Sequence, residues 1–467
     1  MGTSRDVAFA TLLRGGLATR ELSDVARNLP LSPEDRALSR ELVAGVERRR
    51  GTLDAVIAAY VPRSRVPRDL RVLLRLGFYQ LLFLERVPEH AAVDETVGLA
   101  RKRRGARQAG FVNAVLRGAL RELERGSRGG GPGDPRRALD LGPRRFRFGR
   151  DVFPDPSTSL ADHLAAVHSH PKALVERWIA RFGEEEARAM FEADNRVPPL
   201  TVRVNRLRTT REGLLQDLRA LGFEARAGIH PLAVRVDPGA RGLVDSEPFQ
   251  AGRFTVQDET AMEAVSLLDP RPGERILDLC AAPGGKATQI AEALDDRGEI
   301  LACDVSEERL ARLRENAARL GLRSIRPILR ARDSRVPPAG AVERILVDAP
   351  CSNTGVLARR PEARWRFTPA SLREVTRLQA ECLRVGLRAL GPGGRLVYST
   401  CAMEPEENQG LVRQLIASAK GVEVREELFR TPGPDRDGGY AAVLVRLPGS
   451  SAPGRAGTAV APDAQGA

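Results

Sequence analysis

Between residues 4 and 125 apolar side chains recur three and four positions apart. Val7, Ala8, Leu12 and Leu13 form one set, and Ala37, Leu38, Leu42, Val43 and Val46 a second. Leu73, Leu74, Leu76, Phe78, Leu81 and Leu82 form a third. That spacing gathers apolar groups on one face of a helix. Ser32 before Pro33, Glu34 and Asp35 reads as a helix start: a capping hydroxyl, a proline at the first position, and acids in the first turn. Gly110-Phe111-Val112-Asn113 opens a last helix reaching about Leu123. Little here alternates with period two, so an all-α domain is expected over 1–125.

The pattern then lapses. Residues 126–160 begin with Gly126-Ser127-Arg128-Gly129-Gly130-Gly131-Pro132-Gly133, which has too little apolar surface to offset ordering it, and continue through Arg144-Arg145-Phe146-Arg147-Phe148-Gly149-Arg150. A flexible Gly/Arg-rich linker is expected. Over 161–250 helical spacing mixes with short strands such as Leu200–Val204, which suggests a small α+β module.

From 251 to 448 buried strands alternate with helices. Arg275–Leu279, Ile300–Asp304, Ile345–Asp348 and Arg395–Ser399 read as strands. Ser306 caps a helix over Glu307–Leu320 that Gly321 ends, and a long helix runs from Pro369 to Leu390. Repeated βα units predict a doubly wound, Rossmann-like α/β domain whose ligands lie at the carboxyl ends of its strands. Residues 449–467 read as a low-complexity, disordered tail.

Charge adds a division of labour. The chain carries 74 Lys plus Arg against 61 Asp plus Glu, a net +13. Residues 1–150 hold 30 basic and 17 acidic side chains, and the remaining residues 44 of each, so the whole surplus lies in the first third. Such a surplus suits docking on a polyanion. The most apolar early run, Val72–Val87, is interrupted by Arg75 and Glu85 and is too short to span a bilayer. The first thirty residues lack the apolar stretch of a signal peptide. The five cysteines, Cys280, Cys303, Cys351, Cys382 and Cys401, have no CxxC spacing, so neither a metal site nor a disulfide framework is supported. A cytoplasmic, metal-free protein without membrane segments is expected.

Three strand ends carry chemistry. Asp278-Leu279-Cys280-Ala281-Ala282-Pro283-Gly284-Gly285-Lys286 joins strand to helix through small residues, allowing close approach of a cofactor to the backbone, and Asp304 ends the next strand, where an acid accepts ribose hydroxyls. The loop is neither GxGxxG nor GxxxxGK[ST], which weakens the dehydrogenase and P-loop readings. Asp348-Ala349-Pro350-Cys351-Ser352 and Ser399-Thr400-Cys401 each set a thiol at a strand end. Cys303, inside a strand, and Cys382, mid-helix, read as structural. A nucleoside cofactor, two thiols, a carboxylate and a polyanion docker suit methylation of cytosine at carbon 5. A thiolate adding at carbon 6 makes carbon 5 nucleophilic, and a base must later remove the carbon 5 proton.

These motifs, with Pro405-Glu406-Glu407-Asn408, resemble the RNA cytosine-5 methyltransferases of the Sun/Fmu type. Leu74–Leu82, Val87–Val93 and Phe111–Arg117 are similar to a NusB-like RNA-binding domain. The resemblance covers nearly all of 4–447. It implies S-adenosylmethionine as cofactor and a cytosine of 16S ribosomal RNA as substrate. It implies Cys401 as the nucleophile and Cys351 as the thiol assisting product release; DNA cytosine methyltransferases use a Pro-Cys thiol as nucleophile, which makes Cys351 the rival. It places Cys280, Ala281, Ala282, Pro283, Gly284, Gly285, Lys286, Asp304, Asp333 and Asp348 around the cofactor, with Asp348 also facing the base. Arg332 stands where the family usually has Gly before Asp333. Arg101, Lys102, Arg103, Arg104 and Arg107 are the candidates for phosphate contact, His90 reads as a packing residue, and a monomer is expected. The competing reading is a non-catalytic ribosome-assembly or antitermination factor, which has no need of two thiols beside a cofactor loop.

Overall fold

The computed structural model describes residues 3–15, 25, 31–61, 66–127, 133–238, 240, 242–331 and 342–449. They fall into two compact units. One extends to Val197 and includes Val356–Pro369 and Pro432–Pro434; the other comprises Pro198–Gly355, Ala370–Thr431 and the chain from Asp435.

The first unit opens with helices α1 (Ser4–Arg14), α2 (Pro33–Tyr60), α3 (Arg68–Phe83), α4 (Glu89–Arg104) and α5 (Ala106–Glu122). Ser32 caps α2, its Oγ accepting from the Asp35 amide at 3.1 Å. Leu73, Leu74, Leu76 and Leu82 of α3 lie in the middle of the core, where Gly77 admits Leu116 of α5. A Cβ at Gly77 would come within 2.7 Å of the Leu116 Cδ1.

The expected linker differs in its described part. Strands β1 (Glu124–Ser127), β2 (Ala138–Leu141) and β3 (Arg144–Arg147) form an antiparallel sheet in the order β1-β3-β2. Leu139, Phe146 and Phe148 are buried in the helical core, and the Arg145 guanidinium holds both Asp140 oxygens at 2.6 and 2.9 Å. The few alternating apolar residues suffice because they share a core that already exists, and carboxylates neutralise the arginines between them. Helices α6 (Leu160–His168), α7 (Lys172–Phe182) and α8 (Glu184–Asp194) also belong to this unit.

Residues 356–369, expected within the catalytic domain, belong here too. Arg364 is fully buried and donates to the carbonyls of Arg48 (3.1 Å), Ser169 (2.9 Å) and Asp194 (3.1 Å), while Trp365 Nε1 donates to Glu47 O at 2.8 Å. These carbonyls, with the Asn195 side-chain oxygen at 3.1 Å, compensate the buried guanidinium, and all of them belong to this unit.

The second unit holds two sheets. β4 (Leu200–Val204), β5 (Ala225–Ala227), β6 (Ala233–Val236) and β7 (Phe254–Val256) form an antiparallel sheet in the order β5-β6-β4-β7, packed on α9 (Arg211–Ala220). After the short α10 (Glu247–Gln250) and α11 (Glu259–Leu268) come β8 (Arg275–Asp278), α12 (Gly285–Ala293), β9 (Glu299–Asp304), α13 (Glu307–Leu320), β10 (Ile325–Leu329) and β11 (Val342–Asp348). α14 (Pro369–Ala389), β12 (Leu390–Thr400), α15 (Gln409–Ile416), β13 (Val422–Arg430) and β14 (Gly439–Arg446) complete it. The large sheet runs β10-β9-β8-β11-β12-β14-β13: the first five strands are parallel, and β14 is antiparallel to both neighbours. Strand order reverses at β8/β11, the place where α/β sheets open a crevice for ligands. The expected fold class, helical first and doubly wound α/β afterwards, is the one observed. The tail from 450 lies outside the described residues.

Candidate active site

Four parallel strands end side by side at that crevice, and the sequence after each carries the site. Beyond β8, Gly284 adopts φ +110°, and a Cβ there would stand 3.1 Å from the Leu313 Cγ. The left-handed conformation favours glycine, and Leu313 leaves a larger side chain little room. Asp278 is fully buried. Its Oδ1 accepts from the Cys280 amide at 3.3 Å, while Oδ2 has no hydrogen-bond partner. Burial, reinforced by the charge of Asp348, pushes its pKa up to about 8. A buried carboxyl oxygen without a partner suits a site completed by a polar or cationic ligand. At the end of β9, Asp304 accepts from Arg309 Nη2 at 2.5 and 2.6 Å and from the Ser306 amide at 3.0 Å.

Beyond β11 and β12 stand the thiols. The Sγ atoms of Cys351 and Cys401 are 3.1 Å apart, and the Cys401 thiol donates to Asn353 Oδ1 at 3.5 Å. Asn353 takes φ +63°, a conformation asparagine tolerates, and its amide donates to Cys351 O at 2.8 Å. Cys351 is held well above the usual thiol range, first by its hydrogen bond with Cys401 and then by burial. Asp348 Oδ2 pairs with Lys286 Nζ at 2.7 Å, and its Oδ1 accepts from Ser399 Oγ at 2.8 Å. Burial works against the Lys286 charge, but Asp348 outweighs it and Cys401 adds to the effect, so the ammonium is held above its ordinary value.

One buried carboxylate joins the two thiol loops. Glu407 accepts from the Ser352 amide (2.8 Å), from the Ser352 hydroxyl, and from Gln379 Nε2 (2.9 Å); its own carbonyl accepts from Tyr398 at 2.7 Å. Burial raises its pKa even against those donors. The amides of Gly355 and Met403 cross-link the same loops, to Cys401 O at 2.9 Å and Thr354 Oγ1 at 2.8 Å.

The structure thus brings Gly284, Gly285, Lys286, Asp348, Cys351 and Cys401 to one edge of one sheet. Cys280 turns aside: its Sγ is 4.0 Å from that of Cys382. Ala281 and Ala282 are buried and Pro283 is exposed. Cys303 is fully buried, which pushes its thiol up to about 12. Asp333 lies outside the described residues. Of the phosphate-contact candidates, Lys102 and Arg103 share Asp6 (3.0 and 2.7 Å) and Arg104 pairs with Asp69 (2.9 Å). Arg101 and Arg107 are exposed and make no ion pair among the described residues. His90, expected to pack, is exposed on the first turn of α4. Asn353, Arg309 and the orphaned Asp278 oxygen escaped the sequence reading. The placement of Asp278 before the small-residue loop was the one available signal.

Among the described residues, no helix is long and apolar enough to cross a membrane, and no three His, Cys, Asp or Glu are grouped to hold a metal.

Comparison with known proteins identifies three regions. Residues 265–441 match the family described as 16S rRNA methyltransferase RsmB/F, residues 3–121 the NusB family, and residues 170–240 the ferredoxin-like domain of RsmF/B-like methyltransferases. The chain is 35% identical to a probable ribosomal RNA small subunit methyltransferase B of Synechocystis sp., over 93% of each chain. Among solved structures, PH0851 matches with TM-score 0.74 and 23% identity over 94% of this chain and 98% of its own. NSun6 from Pyrococcus horikoshii, solved with SFG, matches with TM-score 0.54 and 24% identity over 59% and 98%. At those identities the two structures show the fold.

Proposed function

The chain belongs to the 16S rRNA methyltransferase RsmB/F family, and from that premise we propose that it transfers a methyl group from S-adenosylmethionine to carbon 5 of a cytosine in 16S ribosomal RNA. The observation that carries the reading is the pair of thiols 3.1 Å apart beside the Asp348–Lys286 ion pair. S-adenosylmethionine supplies, when bound, an electrophilic methyl group. The residues fit it: the 280–286 loop, the buried carboxyl of Asp278, and Asp304 at the end of β9. The solved relative's ligand SFG, an analogue of S-adenosylmethionine, supports the same choice.

The chain's own groups divide the work. Cys401 Sγ forms a bond to cytosine carbon 6, and the ring electrons displaced make carbon 5 nucleophilic. The Cys351 thiol, held above its usual range by the neighbouring sulfur and by burial, stands 3.1 Å from Cys401 Sγ. The resemblance of Ser399-Thr400-Cys401 to the family's motif supports Cys401 over Cys351 as nucleophile. Asp348 faces the base. After transfer a base takes the carbon 5 proton, the carbon 5–hydrogen electron pair re-forms the ring double bond, and the carbon 6–sulfur bond breaks so that Cys401 leaves as a thiolate; Cys351, beside it, assists this release. The basic first unit supplies salt-dependent RNA affinity, the protein acts as a monomer in the cytoplasm, and no metal takes part.

The test uses tritiated S-adenosylmethionine and unmodified 16S ribosomal RNA with the wild type, Cys401→Ala and Cys351→Ala. Label in 5-methylcytidine, lost in Cys401→Ala, and a covalent RNA adduct accumulating in Cys351→Ala are expected. Transfer surviving Cys401→Ala would sink the thiol mechanism.

A further inference from the structure

The most completely bonded buried charge in the second unit belongs to the four-stranded sheet. Arg203, on β4, is 0% exposed. Its guanidinium reaches α12, the helix that follows the cofactor loop. Nε and Nη2 donate to the two Glu292 oxygens at 3.1 and 2.6 Å. Nη2 also donates to Thr288 Oγ1 at 3.1 Å, and Nη1 to the Gly285 carbonyl at 2.7 Å and to Gln257 Oε1. Gln257 is itself held, its Nε2 donating to Gln289 Oε1 at 2.6 Å.

A surplus of anchoring along α12, from Gly285 and Thr288 in its first turn to Glu292 in its last, needs a reason. Burying Arg203 and Glu292 removes two charges from water, and such pairs are on average no more stabilising than apolar side chains of the same size. An apolar pair could glue β4 to α12 equally well, but it could not grip a backbone carbonyl inside the loop. The Gly285 carbonyl lies in the turn between Gly284, whose φ of +110° sets the loop's path, and Lys286, whose ammonium pairs with Asp348. Thr288 strengthens the grip, its hydroxyl donating to the carbonyls of Gly284 and Gly285 at 2.8 and 3.0 Å. A planar fork with five donors can hold a carboxylate and a carbonyl together, as a lysine cannot.

We propose that Arg203 is a positioning residue for the methyl donor: by holding the Gly285 carbonyl and Glu292 at once, it fixes the first turn of α12 and so the 280–286 loop in its binding shape. The inference rests on the S-adenosylmethionine reading above. Loss of the fork leaves the loop to sample other conformations, and the donor's affinity falls by the fraction of time the loop is competent.

The experiment compares the full chain with Arg203→Lys, Arg203→Met and the double variant Arg203→Met/Glu292→Leu. Three quantities are read: melting temperature, S-adenosylmethionine affinity by calorimetry, and amide exchange of residues 281–288 without ligand. Arg203→Met alone strands the Glu292 charge and melts early. The double variant removes that charge and recovers the melting temperature. It still binds S-adenosylmethionine at least about tenfold more weakly and exchanges its loop amides at least about tenfold faster. Arg203→Lys keeps the charge, and it shows the same two losses with an unchanged KM for RNA. Wild-type affinity and exchange in either the lysine or the double variant overturns the proposal. Should the double variant not fold, the lysine variant decides alone. Should the wild type bind no S-adenosylmethionine, the functional reading fails, while loop exchange still reports on Arg203.

Discussion

Cys351 and Cys401 approach to 3.1 Å across two loops whose sequences are 50 residues apart. Cys351 is held above its usual range by its hydrogen bond with Cys401 and by burial. With iodoacetamide near pH 7.5, Cys351 is expected to be labelled at least about tenfold more slowly than a free thiol such as glutathione, because the thiolate is the reacting form. In Cys401→Ala the raising partner is gone, so Cys351 labels faster than in the wild type. Peptide mass mapping reads the Cys351 rate, and an equal rate in the wild type and in Cys401→Ala contradicts the raising effect of Cys401.

Glu407 holds the Cys351 loop to the turn that follows Cys401. Glu407→Gln turns an amide N–H₂ toward donors that need an acceptor, the Ser352 N–H and hydroxyl and the Gln379 side chain. A buried donor left unpaired costs about 1–3 kcal/mol. Denaturant unfolding should show a loss of that order. Methyl transfer should fall with it in kcat rather than in KM for S-adenosylmethionine, since the thiols lose their register while the 280–286 loop does not.

Asp278 makes stability depend on pH. Its pKa in the folded chain, about 8, lies above the ordinary 3.8. Stability from this group is therefore present below the unfolded value and lost as pH rises through about 8. Asp278→Asn removes that dependence, and its melting temperature, relative to wild type, should climb between pH 4 and pH 8. A cationic ligand seated beside Asp278 favours its ionised form. S-adenosylmethionine binding at pH 7 should then release a proton, seen as a buffer-dependent heat in calorimetry and absent in Asp278→Asn.

RNA affinity should respond most to the arginines without acidic partners. Charge reversal at Arg101 and Arg107 is expected to weaken 16S ribosomal RNA binding. It should also lower the slope of log affinity against log salt by about 0.7–0.9 for each phosphate that is no longer neutralised. Reversal at Lys102 or Arg103 also disturbs Asp6, which both engage. An unchanged salt slope in Arg101→Glu/Arg107→Glu would remove these residues from the RNA surface.

The sheet of β1 to β3 is structural, so shortening it should not be neutral. Leu139 is 1% exposed within the helical core. Leu139→Ala is expected to cost about 2–5 kcal/mol in urea unfolding, the range for a buried leucine that leaves a cavity. A truly flexible linker would tolerate the change.

The local rules proved sufficient wherever a residue's neighbours in sequence are its neighbours in space. Ser32 and Ser306 cap the helices that their following residues announce, and β4 occupies the interval expected for it. The strand ends bearing Asp278, Asp304, Asp348 and Cys401 were legible because parallel strands buried on both faces read as apolar runs. Composition misled in 126–160, where glycine and arginine outweighed Leu139, Phe146 and Phe148.

By itself, then, the sequence determined the helical and doubly wound halves, the small-residue loop and the two thiols at strand ends, since each is a local pattern with a local physical cause. Only the tertiary structure decided which charges meet. Asp278 loses water because β8 lies inside the sheet, Glu407 finds Ser352 across 55 residues, and Arg203 reaches Gly285 across 82. Burial and long-range contact set those hydrogen bonds and pKa shifts, and neither is encoded in any one stretch of chain.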